Sequence, residues 1–243
     1  NFYIWMKMKN KKILVRDIGK MSFSDAWEYQ ENIFKKTIDQ KVQNRSLNEK
    51  IETKNLLILT EHDHVYTIGK SGDMSNLLID KEELMKREIE FFKINRGGDI
   101  TYHGPGQIMG YPIFDLDNFF TDINLYLRKL EEVIINTLNS YNLTGFTIND
   151  ETGVWVKDNN GLSKKICAFG IRASRWVTMH GLCFNVNPDL TYFNHIIPCG
   201  IKNKGITSLQ ELKKEDIDID EVKLRLVKNF KLVFNAEINF ESS

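Results

Sequence analysis

Cysteine is scarce in this chain. Three residues of 243, Cys167, Cys183 and Cys199, make an odd number with no CxxC pair. That excludes a disulfide-built scaffold and points to a reducing compartment. A surplus of either charge is also missing, since Lys plus Arg and Asp plus Glu each total 33. No global field therefore favours nucleic acid or a membrane surface, and any charged partner must meet a local patch. Long hydrophobic runs are absent: the apolar stretch at residues 56–59 falls far short of the roughly 20 residues a membrane span needs, so a soluble protein is expected. There is no internal repeat, heptad array or low-complexity linker. No GxxxxGK[ST] occurs, and Gly97, Gly98, Gly104 and Gly106 do not match a dinucleotide fingerprint. His180, Cys183, His195 and Cys199 fit the paired spacing of zinc ligands poorly, so no metal is expected. The chain begins on Asn, ahead of Met6 and Met8, which leaves a longer gene product open. The expected location is the cytoplasm, or an organelle if a leader was removed.

With 42% hydrophobic residues the chain can bury a full core, and its length suits one domain over residues 1–243. Strand-like and helix-like patterns alternate from end to end, which predicts an α/β (α+β) fold. Strands are expected at residues 13–18, 56–60, 65–68, 91–95, 109–116, 153–157, 165–173 and 181–187. Ser22 with Asp25 resembles a capping box and opens a helix to about Val42, followed by a polar loop at residues 43–55. A charged helix is expected at residues 81–88 and an amphipathic one at 220–234. The clearest helix spans residues 122–141, where Ile123, Leu127, Leu130, Val133, Ile134, Leu138 and Tyr141 form one apolar stripe, read as core.

Two dense runs carry the chemistry. Residues 96–112, RGGDITYHGPGQIMGYP, hold five glycines and two prolines, which specify one particular backbone path and allow close approach to a ligand. Residues 165–201 hold all three cysteines. Cys199 lies in a Pro-Cys-Gly turn, a context that fits burial poorly and suits an exposed nucleophile. Cys167 and Cys183 sit inside a strand pattern, where an apolar role is natural. A catalytic thiol needs a base or cation beside it, and Lys165, His103 and His180 are the candidates. Alternation from Lys165 puts Cys167, Phe169 and Ile171 on its face and Lys164, Ile166 and Ala168 on the other. Lys165 could equally be a strand-end lysine snorkelling to water.

The segments RGGDITYHGPGQ, KICAFGIRASRWVTMHGLCFNVNPDL and IIPCGI together resemble the octanoyl transferases of lipoate biosynthesis, in order and spacing, over about residues 12–212. The resemblance implies the fold of the biotin and lipoate protein ligases, a mixed β-sheet flanked by helices. It implies Cys199 as acyl-accepting nucleophile and Lys165 as its activator. Substrate-binding segments fall on Arg96, Gly97, Gly98, Asp99, Ile100, Thr101, Tyr102 and His103, on Ala168, Phe169 and Gly170, and on Gly181, Leu182 and Cys183, with His180 in support. The implied reaction moves octanoate from acyl carrier protein onto Cys199. The acyl group then passes to a lysine of a lipoyl domain, on 2-oxoacid dehydrogenase E2 subunits or the glycine-cleavage H protein, without ATP or metal. Arg172, Arg175, Lys202 and Lys204 flank these motifs and are candidates for docking an acidic carrier. Two rival readings stand beside this one: an ATP-dependent ligase on the same fold, against which Pro-Cys-Gly speaks, and a non-catalytic carrier-binding module.

Overall fold

In the computed structural model, residues 9–158, 160–197 and 205–241 are described. They form, in order, β1 (Lys12–Lys20), α1 (Phe23–Gln43), β2 (Asn55–Glu61), β3 (Val65–Ile68), α2 (Lys81–Lys86), β4 (Glu90–Lys93), β5 (Ile100–His103), β6 (Gln107–Ile113) and α3 (Ile123–Asn139). Then come β7 (Phe146–Ile148), β8 (Glu151–Lys157), β9 (Ser163–Ser174), β10 (Val177–Asn185), β11 (Gly205–Ile206), α4 (Leu209–Lys213), α5 (Ile219–Phe234) and β12 (Glu237–Phe240). The large mixed sheet runs β12-β1-β2-β6-β10-β9-β8-β7 with β11 beside β9, and a small sheet runs β4-β3-β5.

Strand alternation explains the layers. Leu57 and Leu59 of β2 and Ile108 of β6 enter the core under α3 and α5, whereas Leu56 and Ile58, with Met109, Tyr111 and Ile113, enter the core under α1. Both faces of the central strands are covered, which is why β2 reads as an unbroken apolar run. Ser22 caps α1 by accepting from the Asp25 N–H at 3.1 Å, a bond worth about 1 kcal/mol. The small sheet has its own core, where Tyr66, Ile68, Ile100 and Tyr102 pack with Ile196.

Several expected boundaries move. β10 begins at Val177 instead of Gly181, because β9 and β10 are joined by the two-residue turn Arg175-Trp176 with φ of 50° and 65°. β6 runs Gln107–Ile113, two residues earlier than expected. β5, β7, β11, β12 and α4 were not visible in the hydrophobic pattern, being short. Alternation along β9 is also broken: Val154 pairs with Cys167 but Trp155 pairs with Lys165. This bulge lets the neighbours Ile166 and Cys167 both enter the main core, so Lys165 and Cys167 do not share one environment as strict alternation implies.

Candidate active site

β6, β10 and β9 lie side by side, the Gly97 N–H donates to the Ile171 carbonyl of β9 at 2.9 Å, and residues of the segment 94–103 line one space with residues of these strands, so the two dense runs of the sequence meet. Between them is a narrow cavity of about 60 Å³. Arg96, Gly98, Asp99, Ile100, Thr101 and His103 line it from one side, and Ala168, Phe169, Gly170, His180, Gly181, Leu182 and Cys183 from the other. It adjoins a wider cleft of about 420 Å³, lined among others by Gly97, Lys165, Ile171 and Thr152; the two spaces share Gly98, Asp99, Phe169 and Gly170.

Arg96 is buried, and its two terminal nitrogens donate to the Thr67 carbonyl (2.8 Å), Thr67 Oγ1 (2.9 Å) and the Gly97 carbonyl (2.9 Å). Gly170 makes room for it, since a Cβ there would lie 2.7 Å from Arg96 Cδ. Asp99 is a loop tie, accepting from the N–H groups of Asp73 and Ile100 and from Asn76 Nδ2. Tyr102 does not reach the cavity. It is buried in the small-sheet core, where its hydroxyl meets His64 Nδ1 at 2.8 Å and its ring stacks on Tyr192.

Three histidines around the cavity are held neutral. His62 bonds through Nδ1 to the Met21 carbonyl at 2.7 Å, which can only accept, so Nδ1 carries the proton and Nε2 accepts from Tyr111 at 2.6 Å. Burial lowers its pKa to about 4, against the smaller opposing effect of the Met21 carbonyl. In His180, burial first and Arg96 and Arg172 next lower it to about 3. Burial likewise holds His103 well below the ordinary value, with Arg96 adding to the effect. His180 has φ of 58°, a left-handed backbone inside a strand that costs on the order of 1–2 kcal/mol. Gln30 holds it there by accepting from its N–H at 3.1 Å. Asn95 bonds Glu31 through Nδ2, so its Oδ1 faces His180 Nε2 at 2.9 Å and makes that nitrogen the donor. Glu31 also takes Arg172 at 2.7 Å, which engages one of the cations expected to dock a carrier. Another, Arg175, lies at the β9–β10 turn beside a separate cleft.

Lys165 is 6% exposed, so it does not snorkel. Its Nζ donates to the Thr152 carbonyl at 3.2 Å and lies 4.7 Å from the centre of the Trp155 ring. Lys164 goes elsewhere, to Glu211 at 3.2 Å and Asp158 at 3.7 Å. Cys183 lines the cavity and Cys167 is in the core; burial raises both thiols, so neither is a ready nucleophile. Cys199, with Lys202 and Lys204, lies outside the described residues. Among the described residues no group of three or more His, Cys, Asp or Glu could hold a metal ion, and no helix is long and apolar enough to cross a membrane. His62, Met109, Tyr111, Phe23 and Trp155 escaped the sequence reading. Met109 and Tyr111 stand inside the glycine-rich run but were readable only as strand residues.

A family model described as the lipoyl protein ligase A/B catalytic domain matches residues 23–231, through most of α5 and beyond the last sequence motif. The octanoyltransferase of Christiangramia forsetii is 55% identical over 233 residues, covering 96% of this chain and 100% of that one. The octanoyltransferase of Flavobacterium johnsoniae is 54% identical over 230 residues, covering 94% and 99%. Among solved structures, a lipoate-protein ligase A bound with ATP aligns with a TM-score of 0.68 at 17% identity, covering 96% of this chain and 89% of that one. A structure from an archaeal lipoylation system, described as a bipartite lipoate protein ligase and its E2 lipoyl domain from Thermoplasma acidophilum, gives 0.66 at 17%, covering 96% and 86%. At that identity the likeness is one of fold, the mixed sheet flanked by helices. The chain belongs to the lipoyl protein ligase A/B family, in the group of the octanoyltransferases.

Proposed function

We propose that the chain moves an octanoyl group from the phosphopantetheine thiol of acyl carrier protein to the ε-amine of a lysine on a lipoyl domain, in the cytoplasm, by way of a thioester on Cys199. The observation that carries this reading is the junction of cavity and cleft. An acyl chain inserted past Phe169 and Gly170 would leave its carbonyl in the space lined by Lys165. In the first step the Cys199 thiolate attacks the carrier thioester, a new C–S bond forms and the carrier thiol leaves. In the second the acceptor amine attacks the Cys199 thioester, an amide forms and the thiolate leaves. Lys165 balances the Cys199 thiolate as an ammonium, gives its proton to the departing carrier sulfur in the first step and, so made neutral, takes the amine proton in the second. A thioester is already activated, so neither ATP nor a metal is needed.

Intact-mass analysis after mixing with octanoyl carrier protein tests this against its rivals. The wild-type chain should gain one octanoyl group, mapped to Cys199, and Cys199→Ala should gain none and transfer none. Transfer of free octanoate that depends on ATP and survives Cys199→Ala would make the protein a ligase instead. Binding without adduct or transfer would make it a carrier-binding module.

A further inference from the structure

The Thr152–Gly153 peptide group sits between two buried charged side chains. Its carbonyl accepts from Lys165 Nζ at 3.2 Å, and its N–H donates to Glu131 Oε1 at 3.1 Å. One planar amide thus joins a lysine of β9 to a carboxylate of α3, and each charge polarises the amide so as to strengthen the bond at the other end. Glu131 is 1% exposed and sits on the helix face that sends Leu130, Val133 and Ile134 into the main core. A carboxylate there costs several kcal/mol unless it is paired. Its second oxygen pairs with Arg128 at 2.8 Å. Burial raises the pKa of Glu131, while the Gly153 N–H, Arg128 and Lys165 oppose the rise.

Gly153 makes the arrangement possible. Its φ is +143°, and a Cβ there would lie 2.9 Å from Lys165 Cε and 3.1 Å from the Cys167 carbonyl oxygen. The lysine stem therefore crosses bare backbone, with the Trp155 face next to its ammonium.

We infer that Glu131 is a positioning residue for Lys165, acting through the Thr152–Gly153 amide to fix the amine at the cleft. This rests on the reading of Lys165 as a participant in acyl transfer. Among the described residues, other charged or titratable groups around Lys165 are Arg128 on α3, Asp150 and Glu151 at the start of β8, Asp99 across the cleft, and Cys167 on β9; Lys164 is taken up by Asp158 and Glu211.

Glu131→Gln keeps an oxygen that can accept from Gly153 and removes the charge. Single-turnover transfer from octanoyl carrier protein to a lipoyl domain, measured between about pH 6 and 10, should slow on the order of tenfold while KM for either carrier changes little. If Glu131 is merely structural, Glu131→Gln lowers the thermal midpoint and leaves the single-turnover rate of the folded enzyme unchanged, which would overturn the inference. Glu131→Asp is the second variant, decisive if the first fails to fold. It keeps the charge and shortens the reach to the Gly153 N–H, so the rate should fall while KM for either carrier changes little; an unchanged rate would count against the inference. Lys165→Ala separates the two levels. Retained transfer would remove the reading of Lys165 and the inference with it, whereas an inactive Lys165→Ala beside a wild-type rate for Glu131→Gln would remove the inference alone.

Discussion

Neutral buried histidines tie the stability of this site to pH. The unfolded chain protonates its histidines as pH falls through about 6.5, but His62 in the fold resists until about 4 and His180 until about 3. Within that window the unfolded state binds more protons, so their contribution is intact above about 6.5 and is lost as pH falls toward the folded values. For His62 the full loss is on the order of 3 kcal/mol. Denaturant unfolding should give a lower stability at about pH 5 than at about pH 7, and His62→Gln should flatten that slope although it also costs the Tyr111 bond. An unaltered slope in the variant would place the pH dependence elsewhere. His180 was legible as a site residue from its neighbours in the sequence. Glu131 was not: it stands four residues after Leu127 on the apolar stripe of α3, and a pattern count reads that stripe as core without revealing which backbone group a carboxylate there would meet.

At the scale of elements, periodicity carried most of the information. The cap of α1, the stripe of α3, and the strands with both faces covered follow from spacing alone, because burial on two faces leaves little choice of register. What failed was local geometry without a sequence signature. Two-residue hairpins usually announce themselves with Asn-Gly or a like pair, and Arg175-Trp176 adopts that turn without either, held where the Leu116 N–H donates to the Trp176 carbonyl at 2.7 Å. The bulge of β9 against β8 has no signature either. The glycines of the site can be ranked by what surrounds them. A Cβ on Gly181 would lie 2.2 Å from the Gly110 carbonyl oxygen and 2.6 Å from Pro112 Cδ, so β6 and β10 would have to part. At Gly97 the nearest group is the Ile171 carbonyl oxygen at 3.6 Å, an ordinary contact. Gly181→Ala is therefore expected to cost about 3 kcal/mol or more, and Gly97→Ala less than about 1 kcal/mol, by thermal or denaturant unfolding. Equal losses would show that packing between β6 and β10 is not what fixes the glycine.

Across the whole molecule, two runs of sequence more than fifty residues apart become one site because β6, β10 and β9 are neighbours in the sheet. Their motifs were legible; the partnering of Lys165 with the Thr152–Gly153 amide and the Trp155 ring was not, because it depends on the bulge. The balanced charge of the chain provides no global field to steer an approaching partner, and Arg172 is engaged by Glu31. Under the proposed function the order of events is set instead by the site itself. Donor and acceptor are both proteins, and each must deliver its reacting group to the same space of about 420 Å³ beside Lys165. Two such bodies cannot occupy it together, so the first must leave before the second arrives, and the acyl group must stay on the enzyme in between. Initial rates measured with both carriers varied should give parallel double-reciprocal lines. In the absence of any lipoyl domain, the enzyme should still exchange labelled octanoyl between two preparations of acyl carrier protein. Converging lines with no exchange would mean that both carriers are bound at once, and the relay through Cys199 would have to be abandoned.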